Sequence, residues 1–299
     1  GGGSPAEQQG GGGGAVRGRE HERADRVRKN GFHGADDPYT TYRLRYTKLG
    51  RTAFLGHLDV ARLLARSFRR AQLQLASSRG YSPKPRITYG PALSLGVPSF
   101  AEVFDVDLEH GAAAGLTAEE VVARLGAVCP EGLAIVGGEI LAPGQLGLGR
   151  VVTGAELIIA PAPDGVRFDE ARLGRIAAAF LARSEAIVAR GDKAIDVRAL
   201  VDHVVVIEAQ TALRLTTVLG WDDGPVLAAR VKLSAAGSAK PIEVARALGV
   251  YGAEDPRARH AQVARLALVG LGGVEAAAGV VLAPPPVPAP APIAAVVVA

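Results

Sequence analysis

The chain has no methionine, one cysteine and one tryptophan in 299 residues, and only 5% of it is aromatic. The lone Cys129 excludes a disulfide within the chain and fits a reducing cytoplasm. It also excludes a multi-cysteine zinc site or an iron–sulfur cluster ligated by this chain alone. The six histidines show no metal-ligand spacing, so no metal site is expected. No phosphate-binding loop is present. GQLGLG at 144–149 is glycine-rich but lacks the strand–GxGxxG–helix context that binds a dinucleotide. No secretory signal is read, because the N-terminus is glycine-rich and polar. The stretch after Glu275 carries no charge, but six prolines between Pro284 and Pro292 forbid a spanning helix there, so no membrane contact is expected. With no methionine even at position 1, the chain is expected to be a piece of a longer polypeptide.

What the chain does have is an uneven charge. The net charge of +4 hides a block at 41–90, where eleven lysines and arginines face only Asp59. The remainder is neutral up to residue 40 and net acidic after residue 90. A basic block on an otherwise acidic protein points to a localised polyanion contact.

Composition divides the chain into five parts. Residues 1–37 are a glycine-rich, mixed-charge linker, and 270–299 a Pro/Ala-rich tail. Between them lie a basic domain at 38–141, a Pro/Gly linker at 142–152 and a second domain at 153–269. The first domain predicts strand (41–47), helix (57–73), strand (86–89), strand (101–108), helix (117–128) and strand (133–140). Thr117 followed by Glu120 is a capping-box signature. A βαββαβ order is the ferredoxin-like pattern. The second domain predicts strands at 155–160, near 187, and at 195–208, 212–219 and 226–233, with helices at 169–183 and 241–248. The fold class expected is therefore α+β, with two ferredoxin-like α/β-sandwich units in tandem between disordered tails.

The helix beginning at His57 is the most informative element. Arg62, Arg66, Arg69 and Arg70 fall at i, i+4, i+7 and i+8, on one face, while Val60, Leu63, Leu64, Phe68 and Ala71 share the other. Four guanidiniums on one face repel one another, and a phosphate backbone relieves that repulsion. A solvated face with Asp59 pairing Arg62 is the plainer alternative. The loop that follows carries Arg79, Gly80, Tyr81, Lys84 and Arg86, so that a base could stack on Tyr81 between cations. A tyrosine folded onto the core is an equal alternative. His57 and Tyr81 are weak candidates for acid/base catalysis, with His57 more readily a structural or capping residue. Asp105 and Asp107 share one strand face, as do Arg43 and Arg45. Cross-strand ion pairs on an open sheet face are expected of them, ahead of a magnesium site. Asp196 and Arg198 are expected to form a structural ion pair.

Several of these residues carry a resemblance. Phe54-Leu55-Gly56-His57-Leu58-Asp59, then Arg62, Arg69, Arg70 and Ala71, then Ser78, Gly80, Tyr81, Pro83 and Pro85 resemble the radical-SAM-associated domain family, a domain of unknown function. Leu95-Gly96, Glu102, the run from Lys193 to Arg198, and Pro241-Ile242-Glu243 match further, over roughly 41–265. Gly56 and Tyr81 depart from the pattern, which has serine and commonly phenylalanine there. Members are often fused to, or encoded beside, a cobalamin-binding radical SAM protein. The resemblance implies such a partner, in cis or in trans, with the iron–sulfur cluster, SAM and cobalamin held by that partner. No CxxxCxxC cluster motif occurs in this chain, and no cofactor is expected in it. The function expected is a non-catalytic module presenting RNA (tRNA or rRNA) through Arg62, Arg66, Arg69, Arg70, Arg79, Tyr81, Lys84 and Arg86. A metal-independent RNA endonuclease using His57 and Tyr81, and a domain that docks on the radical SAM partner, are the alternatives.

Overall fold

A computed structural model describes residues 39–78, 81–113, 115–161, 168–233, 237–250 and 262–271. The expected N-terminal linker and nearly all of the C-terminal tail lie outside them. The protein is α+β. In the first half, β1 (Tyr39–Lys48) leads through a 3-10 turn into α1 (His57–Arg70), followed by β2 (Ile87–Tyr89), β3 (Ser99–Glu109), α2 (Ala118–Gly126) and β4 (Leu133–Ile140). In the second half, β5 (Gly154–Ala160), α3 (Glu170–Leu181) and a small hairpin, β6 (Ile187–Arg190) with β7 (Lys193–Asp196), precede β8 (Val201–Ile207). Then come α4 (Ala209–Leu219), β9 (Val226–Lys232), α5 (Pro241–Ala247) and β10 (Gln262–Val269).

The two halves do not stand apart as separate sandwiches. One sheet runs through both in the order β4-β1-β3-β10-β5-β9-β8, with β2 beside the far half of β3. Every pairing is antiparallel except that of β3 with β10, which meet in parallel at Ser99 and Arg265. Strand β10 was not expected from the sequence, and it is the strand that joins the halves.

Period-two alternation builds the first core. Tyr42 and Leu44 of β1 and Phe104, Val106 and Leu108 of β3 point to one face. Val60, Leu64 and Phe68 of α1 and Val121 and Leu125 of α2 cover them. The apolar stripe read on α1 is therefore its buried face. The capping box at Thr117 and Glu120 forms, with bonds of 3.2 and 2.8 Å. Helix α1 ends in a Schellman-type turn. The N–H of Leu73 donates to Phe68 O and that of Gln72 to Arg69 O, with Gln72 left-handed at φ 57°.

In the second half both sheet faces are covered. β5 is buried along its whole length, as an apolar strand between two layers must be. Leu173, Phe180 and Val244, from α3 and α5, pack on Leu157, Ile159 and Val263, while Ala212 and Leu215 of α4 pack with Ile158 and Ala264 on the other side. The segment 212–219, expected as a strand, is thus part of a helix. Its Thr and Val residues favour strands locally, but Ala212, Leu215 and Thr216 at i, i+3 and i+4 bury one helical stripe, and Gly220 closes it at φ 68°.

Candidate binding surface and cleft

The basic face of α1 is exposed as read: Arg62, Arg66, Arg69 and Arg70 all face solvent. Arg62 meets Asp59 at 3.5 Å, with both side chains more than half exposed, a pair of little energetic weight. Arg66, Arg69 and Arg70 have no carboxylate within ion-pair distance among the described residues. Arg69 and Arg70 sit in the last helical turn, where the helix dipole favours cations. In the loop beyond, Tyr81 is fully exposed and Lys84 is exposed, so the tyrosine does not fold onto the core. Ser78 and Lys84 tie the base of that loop, N–H to O at 2.8 Å. Arg79 and Gly80 lie outside the described residues.

Arg86 belongs to the framework instead. Its Nε donates to Asp107 Oδ2 at 2.5 Å and its guanidinium lies 4.6 Å over the Tyr39 ring. Asp107 also accepts from Thr41 Oγ1 at 2.6 Å. Of the expected cross-strand pairs, Arg43 with Asp105 forms, with two bonds of 2.8 and 2.9 Å between opposed positions of β1 and β3. Arg45 stands opposite Val103, so the register gives it neither aspartate as its direct partner. This sheet face is not open as expected. Thr41, Arg43, Asp105 and Asp107 are buried, and Arg43 also donates to Leu146 O in the connecting segment. With arginine and threonine on these aspartates, no three-ligand metal cluster occurs here or elsewhere among the described residues.

Asp196 and Arg198 are not an ion pair. Asp196 Oδ1 accepts the N–H groups of Ala186 and Arg198, while the Arg198 guanidinium donates to Val201 O and Leu181 O. Burial pushes the Cys129 thiol up.

His57 opens α1 but does not cap it; Gly56 holds the N-cap position, and no side chain bonds there. The His57 ring lies edge-on to Tyr89, centroids 5.0 Å apart, at the mouth of a cleft. Tyr81 lies on the loop beyond the other end of α1, a helix about 20 Å long. His57 meets Tyr89 of β2, and no contact between His57 and Tyr81 is seen among the described residues.

The cleft beside His57 was not foreseen. Lys48, Tyr46, Glu102, Tyr89 and the loop Gly90–Leu93 line it; the enclosed room is small, about 20 Å³, and the cleft opens broadly to solvent. It lies where the two halves meet. Arg265 of β10 reaches under the loop, donating to Glu102 at 2.7 Å and to Pro91 O at 3.1 Å. Gly90 lets the loop lie flat on β3, because a Cβ there would meet Val103 at 2.8 Å. Burial is the main cause of the cleft's shifted acidities. It lowers the Lys48 ammonium despite Glu102 nearby, raises Tyr46, and pushes Tyr89 up to about 12. The signal for this site was present in the strands. Tyr42, Leu44, Tyr46 and Lys48 alternate onto the inward face of β1, as do Glu102, Phe104, Val106 and Leu108 on β3, so a lysine and a glutamate occupy core-facing positions.

Residues 41–228 match a family described as an uncharacterised protein conserved in bacteria, DUF2344. The chain belongs to this family. The match covers well over half of the chain and includes α1, its loop and all the residues that line the cleft, whereas Arg265 and the rest of β10 lie beyond it. No curated protein matches the chain. No helix among the described residues is long and apolar enough to cross a membrane.

Proposed function

We propose that this DUF2344 protein is a non-catalytic accessory module that binds RNA through the outer face of α1 and the loop after it, and presents that RNA to a radical SAM partner. The observation that carries the reading is the exposure of Arg66, Arg69 and Arg70 with no carboxylate among the described residues within ion-pair distance. Guanidiniums so placed suit phosphates, and Tyr81, fully exposed on a loop with Lys84, suits stacking on an unpaired base. A duplex hides its base faces, so the tyrosine favours RNA with single-stranded parts over duplex DNA. The partner rests on the family resemblance, and the chemistry of a radical SAM reaction would lie with that partner.

Fluorescence anisotropy of the whole chain with labelled bulk tRNA and duplex DNA, across a salt series, tests the RNA reading. Wild-type protein is expected to prefer tRNA and to weaken with salt. Arg66/Arg69/Arg70→Ala removes three phosphate contacts, so the slope of log K against log salt should become shallower by about 2. Absence of binding at low salt, or an unchanged slope in the triple variant, overturns it.

A further inference from the structure

The geometry points to the cleft at the junction of the halves as a binding site for a small organic monocarboxylate with an apolar body, anchored by Lys48. The Lys48 residue is 4% exposed and lines the cleft. Its Nζ donates one long hydrogen bond, 3.4 Å to Leu55 O, and no carboxylate lies within ion-pair distance of it among the described residues. A buried ammonium has three N–H groups to satisfy, and leaving them unfilled is costly. Glu102, the nearest acid facing the cleft, is already bonded to Arg265. Two cations and one anion leave one positive charge in excess at this place, which a single negative charge would balance. The Glu102 carboxylate on the wall disfavours a dianion such as a phosphate ester, whose second charge would be unmatched.

The remaining walls give the rest of the ligand. The Tyr46 side chain lines the cleft beside Lys48, and its hydroxyl has no hydrogen-bond partner among the described residues, so it is free to donate to a carboxylate oxygen. Leu55, Val60 and Leu93 line the cleft with apolar surface. Leucine side chains beside a buried cation fit an amphiphilic acid, with the carboxylate at Lys48 and the body against Leu55 and Leu93. The site is separate from the RNA face proposed above: it lies at the N-terminal end of α1, and Arg69 and Arg70 lie at the C-terminal end.

Isothermal titration of the whole chain with benzoate, acetate and inorganic phosphate, at matched ionic strength, tests this. In the Arg66/Arg69/Arg70→Ala protein, which lacks the phosphate-binding face proposed above, benzoate is expected to bind more tightly than acetate, and phosphate more weakly than either. Lys48→Met, which removes a buried charge and keeps an apolar stem, should weaken benzoate tenfold or more. Tyr46→Phe, which removes only a hydroxyl, should weaken it roughly two- to tenfold and serves if the lysine variant fails to fold. The Arg66/Arg69/Arg70→Ala protein should bind benzoate as the wild type does, so loss of RNA binding and loss of this site are told apart. Equal affinity for all three anions, no heat with any of them, or benzoate binding unaffected by both cleft substitutions overturns the proposal.

Discussion

Arg43, in the middle of β1, keeps 6% of its side chain exposed and holds Asp105 by two hydrogen bonds; Arg66, on the outer face of α1, faces water, with no carboxylate among the described residues within ion-pair distance. The same division runs through the molecule. Arg86, Arg190, Arg230 and Arg265 are each matched to a carboxylate, on Asp107, Glu243, Glu156 and Glu102. These pairs tie strand to strand or strand to helix, and each satisfies a charge that burial would otherwise make costly. Among the described residues Arg66, Arg69 and Arg70 of α1 make no such pair. A guanidinium is expensive to bury and cheap to expose, so its partner shows what it is for. Inside, the partner is a residue of the chain. On the outer face of α1 it is water for Arg66, Arg69 and Arg70, and the RNA proposed above would take that place.

The largest test of this contrast is Arg43→Ala. It strands Asp105 in a buried site beside Asp107, and should cost about 3–5 kcal/mol in urea unfolding. Replacing the pair together, Arg43→Met with Asp105→Leu, should recover most of that loss, because the penalty belongs to the unmatched charge. A small loss in the single variant would mean that water reaches the pair and that the inside of the comparison is wrongly drawn.

Next in size is Glu243→Gln. Burial alone would push the Glu243 carboxyl up, but hydrogen bonds from Arg190 and from the Lys240 N–H, with their charges, outweigh burial and hold it below the usual range. The variant should lose about 2 kcal/mol at neutral pH. A depressed carboxylate stabilises the fold fully above its unfolded value of about 4.5 and loses that contribution as pH falls through the native value. The gap between wild type and variant should therefore stay constant from pH 7 to about 5 and narrow below it. A gap independent of pH would show that the hydrogen bonds to Glu243 do not depend on its charge.

The sequence revealed these two classes of arginine unequally. The exposed class was legible, because helical spacing alone places Arg62, Arg66, Arg69 and Arg70 on one face. The α+β class and the elements of the first half were legible too, since alternation in β1 and β3 and the Thr117–Glu120 box are local signals. The inner class was harder, because it depends on register. Arg43 lies opposite Asp105 only once β1 and β3 are aligned, and Arg86 reaches Asp107 only because β2 flanks β3. Arg265 was out of reach, because β10 finds β3 from more than 150 residues away. Local preference also misled at Thr216, Thr217 and Val218, where a buried stripe outweighed β-branched side chains. Lys48 could have been found from alternation alone. A lysine in step with Tyr42, Leu44 and Tyr46 is a charge aimed at the core.

A smaller effect separates the order of α1 from its charge. Gln72 holds a left-handed conformation that costs a side chain about 1 kcal/mol and glycine almost nothing. Gln72→Gly should raise unfolding stability by about that amount, offset in part by the freer unfolded chain. Its RNA affinity should stay unchanged, because no arginine moves.

The smallest expected effect on stability is the one the comparison depends on most. Arg66→Ala, Arg69→Ala and Arg70→Ala should each change unfolding free energy by no more than about 0.5 kcal/mol. Alanine is the better helix former, which favours the variants, and lost dipole interaction at Arg69 and Arg70 opposes that gain. Removing like charges from one face also relieves repulsion, so the triple variant should unfold at nearly the wild-type urea concentration at low salt. Added salt should change wild-type stability more than that of the triple variant, since only the former has repulsion to screen. A loss of several kcal/mol in the triple variant would place these arginines with Arg43, as residues that hold the fold, and would remove the reason for seeking their partner in RNA.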